Sequence, residues 1–528
     1  MILNGCYPTE LDVINNGMTR ATILLYILSG TFLAGITPIF NCWPMAFCAF
    51  VPMLVAINYD FKSGEYTYPL LFIKGLLTGA IFAVSCLYWI ADLSILGLIL
   101  SIAIIASFFG LFCMGVLFGL ESGLIGWKLG LWTTFIWVAL EAVGSDLFFN
   151  IPSLAIGYSL WSVPLFIQIA DITGVFGISF WIVMINTCIA QCLYRGVKID
   201  SRYVMAAMFL TMSVIGYGVW NHYIHVERPR DDLSLLLLYT SVTKKQRAEV
   251  GFPGKIFGIF EKKTREAIQA LGETPDLIVW PETSLPVYLR TIRSKKLIED
   301  LLSLSKKSGS PILLGARSFK RETNGSLKLY NAAFIIPKSG YIRQEYRKVI
   351  LAPFVETSPF IKWLPQWLQK TFESKLEAGN EPGIMATNDK NNIGIAICYE
   401  ALFPNFIRKC VNLGAGIIVN ITNDQTAFKK FYRAYKLPIP HIVFRAIENR
   451  RAVIRCANWG ISLLVTPQGK IIRTSDVGES GFLHGKILTI DRKTLFTRYG
   501  FFITKLLFGG TCLWSVLLFA KRLKDKFQ

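Results

Sequence analysis

Residues 392–404 read Asn392-Ile-Gly-Ile-Ala-Ile-Cys398-Tyr-Glu400-Ala-Leu-Phe-Pro404. The apolar run from Ile393 to Ile397 predicts a buried β-strand, and the chain turns at its end towards Pro404. A thiol at that end is held by a core strand and can still face a cleft. Free cysteine ionises near pH 8.5, so a nucleophilic Cys398 needs neighbours that help it lose its proton. Taken alone, a cysteine there reads better as a small buried apolar residue. What separates the two readings is whether partner groups occur elsewhere in the chain.

Working outward, the 528 residues are 53% hydrophobic and 13% aromatic, with a mean hydropathy of +0.45. That is too apolar for an ordinary soluble protein and calls for several membrane spans. Charge is unevenly placed: residues 1–231 hold 9 of the 55 Lys and Arg, and 12 of the 35 Asp and Glu. The whole basic excess therefore lies in the second part, suited to anionic lipid headgroups beside a bilayer. A pI of 9.4 also fits nucleic acid, but membrane tethering argues against that partner. Most of the eleven cysteines are scattered through the apolar half. No CxxC or Cys/His ligand spacing occurs, so neither a metal nor a cofactor is expected.

Residues 1–19 lack the basic start of a cleavable signal. Apolar segments follow at about 20–39, 43–58, 69–91, 93–120, 129–149, 163–193 and 203–220, with a last one near 500–520. About 20 residues of helix cross a bilayer core. The segments predict about seven spans in a 1–231 bundle, an outer domain over 232–493, and a final span with a basic tail over 494–528. Arg20, Lys62, Lys128, the Arg195, Lys198 and Arg202 loop, and the Lys521 to Lys526 tail all place both termini inside. Glu141, Asp146 and Asp171 lie within or near spans; Glu141 is the candidate for a polar cavity beneath the outer domain, and Asp146 reads as interfacial.

In the outer domain, strands are expected at 233–239, 276–280, 311–316, 329–336, 392–398 and 416–422, with an amphipathic helix over 254–271. Strands alternating with helices indicate a layered α/β unit. Asp276-Leu-Ile-Val-Trp280-Pro-Glu282 puts an acid just past a strand. Tyr346-Arg-Lys348-Val-Ile-Leu-Ala-Pro353-Phe-Val-Glu356 puts a lysine and a second acid around a turn. Singly these are a turn acid, a surface charge and a capping residue. Together with Cys398 they suit one chemistry. A carboxylate takes the thiol proton, an ammonium stabilises thiolate and oxyanion, and sulfur carries an acyl group as a thioester. No histidine is required, and the chain has four.

Trp280-Pro-Glu282, Tyr346-Arg-Lys348 with Pro353 to Glu356, and Ile397-Cys398-Tyr399-Glu400 resemble the Glu–Lys–Cys motifs of the nitrilase superfamily. With the apolar segments on either side, nearly the whole chain resembles the bacterial apolipoprotein N-acyltransferase family. Gly157-Tyr158-Ser159, Asn423-Asp424, and Arg445 to Arg451 before Asn458-Trp459-Gly460 add to the likeness. The resemblance implies an αββα sandwich outside a helix bundle in the bacterial inner membrane, with its catalytic domain on the periplasmic side. It implies Glu282 as general base, Lys348 as oxyanion-stabilising cation and Cys398 as nucleophile. Glu356 would support Lys348, while Tyr399 and Glu400 would shape the pocket. The implied partners are a phospholipid acyl donor and a diacylglyceryl-cysteine apolipoprotein acceptor, used in ping-pong order. Two stretches depart from the family pattern: Asn423-Asp424-Gln-Thr-Ala-Phe428 lacks the usual Trp-Phe-Gly, and Tyr239-Thr-Ser-Val242 lacks Gln-Gly-Asn. A membrane-anchored amidase and a non-catalytic lipoprotein-binding scaffold are the alternatives. The aromatic 359–368 segment reads either as a lid at the interface or as a surface helix.

Overall fold

The computed structural model describes residues 10–64, 66–144, 155–194, 200–221, 232–243, 245–246, 252–353, 355–357, 376–387, 392–428 and 430–527. Asp146, Arg195, Lys198 and the whole 359–368 segment lie outside these, so the readings made on them are not addressed. Among the described residues, six helices are long and apolar enough to cross a membrane. These are Trp43–Ser63, Tyr68–Asp92, Ile95–Glu121, Val175–Leu193, Ser201–Val219 and Phe502–Phe527. Two further apolar segments are helical but shorter: Arg20–Gly35 and the 17-residue Gly126–Ala142.

Local chemistry sets these elements. Thr67 and Ser94 cap the second and third of the six helices, accepting from the backbone N–H of Leu70 and Gly97. The two helices then pack through small residues. A Cβ on Gly75 or Gly79 would stand 2.6 Å from Phe109 O or Ala106 Cα respectively, the close approach that glycine permits between membrane helices. The 163–193 segment, expected as one span, is broken. Short turns at Pro164–Ile167 and Ala170–Thr173 precede the Val175–Leu193 helix, and Gly174 at φ 66° makes the break.

Among the described residues, thirteen strands follow in chain order: β1 (Asp232–Tyr239), β2 (Leu277–Val279), β3 (Leu285–Tyr288), β4 (Ile312–Arg321), β5 (Leu327–Ile336), β6 (Glu345–Arg347), β7 (Ile384–Ala386), β8 (Asn392–Ile397), β9 (Ile417–Asn423), β10 (Ala452–Asn458), β11 (Leu463–Val465), β12 (Ile471–Thr474) and β13 (Gly481–Leu488). One sheet runs β13-β1-β2-β4-β5-β6 with β3 on β4; the other runs β12-β11-β10-β9-β8-β7. The central pairs β1–β2, β2–β4, β8–β9 and β9–β10 are parallel. β1 shows why its sequence carries leucines on both faces. Leu235 and Leu237 enter the core between the sheets, while Leu236 and Leu238 pack under the Phe252–Leu271 and Lys295–Ser308 helices. The Pro404–Asn412 and Ile439–Asn449 helices cover the other sheet through Phe406, Ile407, Ile442 and Val443. The result is the four-layer αββα sandwich beside a multi-span helical bundle.

The two parts share one continuous core and are pinned by buried polar contacts. Arg450 forms an ion pair with Asp171 at 2.7 Å and donates to Gln168 Oε1 at 2.6 Å. Arg445 donates to Tyr158 Oη at 2.9 Å and pairs with Glu448. Asp171 thus serves the joint between the two parts. Glu141 also departs from the cavity role expected of it: it is buried in the bundle, accepting from Trp137 Nε1 at 2.7 Å and Ile156 N at 2.8 Å.

Candidate active site

The structure gathers Glu282, Lys348, Glu356, Cys398 and Tyr399 on the wall of one cavity of about 680 Å³. Glu400 lies behind that wall. Glu282, Lys348 and Cys398 are each presented just past the end of a strand. Glu282 follows β2, where Trp280 stacks on Phe260 at 4.6 Å and fixes the strand to its covering helix. Gly315 on β4 makes room for it: a Cβ there would stand 2.7 Å from both Glu282 Cα and Thr283 N. Lys348 follows β6, its N–H donating to Asn331 O at 2.8 Å. Cys398 follows β8 at φ 54°, and Thr283, next to Glu282, sits at φ 50°. Left-handed backbone costs a non-glycine residue about 1–2 kcal/mol and persists where surroundings enforce it. At Cys398 they do: Asn420 Nδ2 donates to Cys398 O at 3.2 Å and to Ala396 O at 3.0 Å.

Lys348 Nζ lies 2.6 Å from Glu356 Oε2 and 4.0 Å from Glu282 Oε1. Asn331, inside the apolar run of β5, bridges the two acids, donating to Glu282 at 2.7 Å and Glu356 at 3.0 Å. Asn423 N–H donates to the other Glu282 oxygen at 2.7 Å. Glu356 also accepts from Ala352 N at 2.9 Å. The two acids are consequently driven apart. Burial raises Glu282, and Lys348 only partly offsets it. Glu356, although buried, is held below the usual carboxylate range by the lysine in direct contact. Burial works against the Lys348 charge, but Cys398, Glu356 and Glu282 together hold it above its ordinary value. Burial pushes the Cys398 thiol up to about 12, with Glu282 adding and Lys348 opposing. At neutral pH the resting site therefore holds a thiol beside a lysinium, and of the two acids Glu282 is the one whose affinity for a proton burial has raised.

Glu400 is a structural tie. Its carboxylate accepts from Tyr346 Oη at 2.7 Å, Val349 N at 2.6 Å, Ile350 N at 3.0 Å and Ile397 N at 2.7 Å. It thereby fastens the Lys348 segment to the Cys398 turn, and burial brings it to about 7. Tyr399 lines the cavity and packs edge-on to Phe403 at 4.9 Å. Asn331, Asn420 and Arg455 were not picked out as parts of this assembly from sequence, whereas Asp424 entered only through the family likeness. Arg455 binds Asn420 Oδ1 at 2.6 Å and grips Asp424 at 2.7 Å. The signal that could have found the two asparagines is a lone amide in an otherwise apolar strand, Asn331 in Leu-Tyr-Asn-Ala-Ala and Asn420 in Ile-Ile-Val-Asn-Ile. Such a group is expensive to bury without partners.

The far wall is apolar and comes from the bundle: Leu87 and Ile90 of the Tyr68–Asp92 helix, Ile104 and Ile105 of the Ile95–Glu121 helix, and Leu93 between them. A nitrilase-type sandwich whose cavity is completed by membrane helices defines a carbon-nitrogen hydrolase-superfamily protein working at a bilayer. Residues 255–494 match the carbon-nitrogen hydrolase family, and residues 29–188 match the apolipoprotein N-acyltransferase N-terminal domain. The chain is 27% identical to apolipoprotein N-acyltransferase of Geobacter metallireducens over 96% of its own length and 97% of the relative's. It is 25% identical to that of Chlorobaculum tepidum over 94% and 96%. Saccharomyces cerevisiae Nit3, of the nitrilase superfamily, superposes on 49% of this chain and 91% of its own at TM-score 0.37 and 17% identity, too distantly to carry argument. The chain is thus similar to apolipoprotein N-acyltransferases over nearly its whole length, and its two parts match the N-terminal domain of that family and the carbon-nitrogen hydrolase family in turn.

Proposed function

We propose that this protein moves an acyl chain from a phospholipid to the N-terminal amine of a diacylglyceryl-cysteine apolipoprotein, in ping-pong order through a Cys398 thioester. Cys398 Sγ attacks the donor ester carbonyl while Glu282 takes the thiol proton. Lys348 stabilises the oxyanion, with Glu356 keeping it charged and in place. The C–O bond breaks, the leaving alkoxide takes the proton from Glu282, and lysophospholipid departs. The acceptor amine then attacks the thioester carbonyl, Glu282 removes its proton, the C–S bond breaks, and the thiolate regains a proton.

One observation carries this reading. The cavity that holds Glu282, Lys348 and Cys398 has an apolar wall made by two helices long enough to span a bilayer. A soluble amide has no use for such a wall, whereas an acyl chain does. The reading divides the chain at 231/232 and 493/494, with the sandwich outside the bacterial inner membrane and both termini inside, supported by the Lys and Arg bias of the short loops. Mass analysis of an apolipoprotein N-terminus after incubation with purified protein and phospholipid tests it. The expected result is one added acyl group in amide linkage. Release of free fatty acid with an unmodified acceptor would favour a hydrolase instead.

A further inference from the structure

Among the described residues, three permanent cations line the cavity: Lys348, Arg455 and Arg317. Lys348 is engaged by Glu356 and Arg455 by Asp424. Arg317 is exposed, and among the described residues its guanidinium has no hydrogen-bond or ion-pair partner. Its place in the sheet is well defined. In the antiparallel β4–β5 pair Arg317 stands directly opposite Asn331, so their side chains leave the same face of the sheet. Asn331 uses that face to reach Glu282 and Glu356. Lys348, just past the end of the next strand, continues the row, its N–H bonded to Asn331 O. The row Arg317–Asn331–Lys348 thus ends in a solvated guanidinium beside the reacting groups.

The carboxylates nearest that row are already satisfied, Glu282 by Asn331 and Asn423 N–H and Glu356 by Lys348. The opposite wall is apolar. A ligand matching both ends carries a hydrocarbon chain and an anion, and a planar guanidinium pairs with phosphate through two parallel hydrogen bonds. We propose that Arg317 binds the headgroup phosphodiester of the acyl donor, selecting lipids that carry phosphate over neutral lipid esters. This rests on the phospholipid-donor reading above and deepens it. Because the phosphate is common to zwitterionic and anionic phospholipids, the contact admits both and leaves headgroup preference to other groups.

The test uses full-length protein in detergent and follows Cys398 thioester formation from phosphatidylethanolamine and from a p-nitrophenyl acyl ester, which has no phosphate. Arg317→Gln is expected to raise the KM for the phospholipid about tenfold, the usual scale for losing a hydrogen bond to a charged group. The KM for the phosphate-free ester should move less than about twofold, and Arg317→Lys should recover part of the loss. Equal KM changes for both donors would overturn the assignment and leave the acyltransferase reading standing. A raised KM for the apolipoprotein acceptor in place of the donor would overturn it too, as would inhibition by inorganic phosphate that the substitution leaves undiminished. A wild-type protein that forms a thioester from the ester but never from phospholipid would overturn the donor reading and the Arg317 proposal with it.

Discussion

At the scale of single residues, the site depends on one lysine shared unequally between two acids. Because Lys348 sits against Glu356 and 4.0 Å from Glu282, burial dominates at Glu282 and its carboxyl is raised above the ordinary 4.5. A base acts only when deprotonated, so the rate of thioester formation should rise with pH along a limb lying above that value. The Asn331 hydrogen bond favours the charged form, so removing it in Asn331→Leu should move the limb to still higher pH. Single-turnover pH profiles check both statements; a wild-type profile flat down to pH 4.5 would remove Glu282 as the base. Legibility at this scale was uneven. Glu282 and Cys398 could be singled out because each follows an apolar strand and carries a reactive group, and Lys348 joined them through the Tyr346-Arg-Lys348 stretch. Asn331 and Asn420 escaped because an amide announces no chemistry, and their partners lie 49 and 22 residues away.

Among the secondary-structure elements, strand ends do the positioning and glycine sets how closely they approach. Gly315 on β4 passes under Glu282, where an added Cβ would meet backbone atoms at 2.7 Å. Gly315→Ala should displace the tip that carries Glu282, the proposed base. Overpacking of this kind costs about 1–3 kcal/mol, and misplacing a catalytic group by about 1 Å costs on the order of a hundredfold in rate. Thioester formation should fall about 10- to 100-fold while iodoacetamide still modifies Cys398. Activity within twofold of wild type would show that the β2–β4 approach does not position Glu282. The strands carrying the site were readable from period and apolar runs: 329–336 and 392–398 became Leu327–Ile336 and Asn392–Ile397. The break in the 163–193 segment was not readable. Hydropathy runs straight through it, and what interrupts the helix is Gly174 at positive φ next to Asp171, whose partner Arg450 lies 279 residues on.

For the whole molecule, the question is how a sandwich is held in register over the helices that complete its cavity. Arg450 and Asp171 are both buried, and Tyr217 Oη also donates to Asp171 at 2.9 Å. Arg450→Ala leaves that acid buried without its charge partner, at a cost of about 3–5 kcal/mol. The unfolding midpoint in detergent should drop clearly, and Asp171→Leu with Arg450→Met should recover most of the loss. A single substitution without effect on the midpoint would mean that the joint does not depend on this pair. Composition and charge asymmetry made a bundle plus a basic α/β unit legible from sequence, but not the wall that the two share, since that exists only once distant segments meet. The central claim is that sulfur at Cys398 carries the acyl group between two lipids. It is tested most directly by incubating the protein with phospholipid alone, quenching in acid and mapping the adduct by mass spectrometry. The account predicts one acyl chain on the peptide bearing Cys398, labile to hydroxylamine and discharged when apolipoprotein acceptor is added. An acyl chain on another residue, or wild-type acceptor acylation by Cys398→Ser protein, would contradict it.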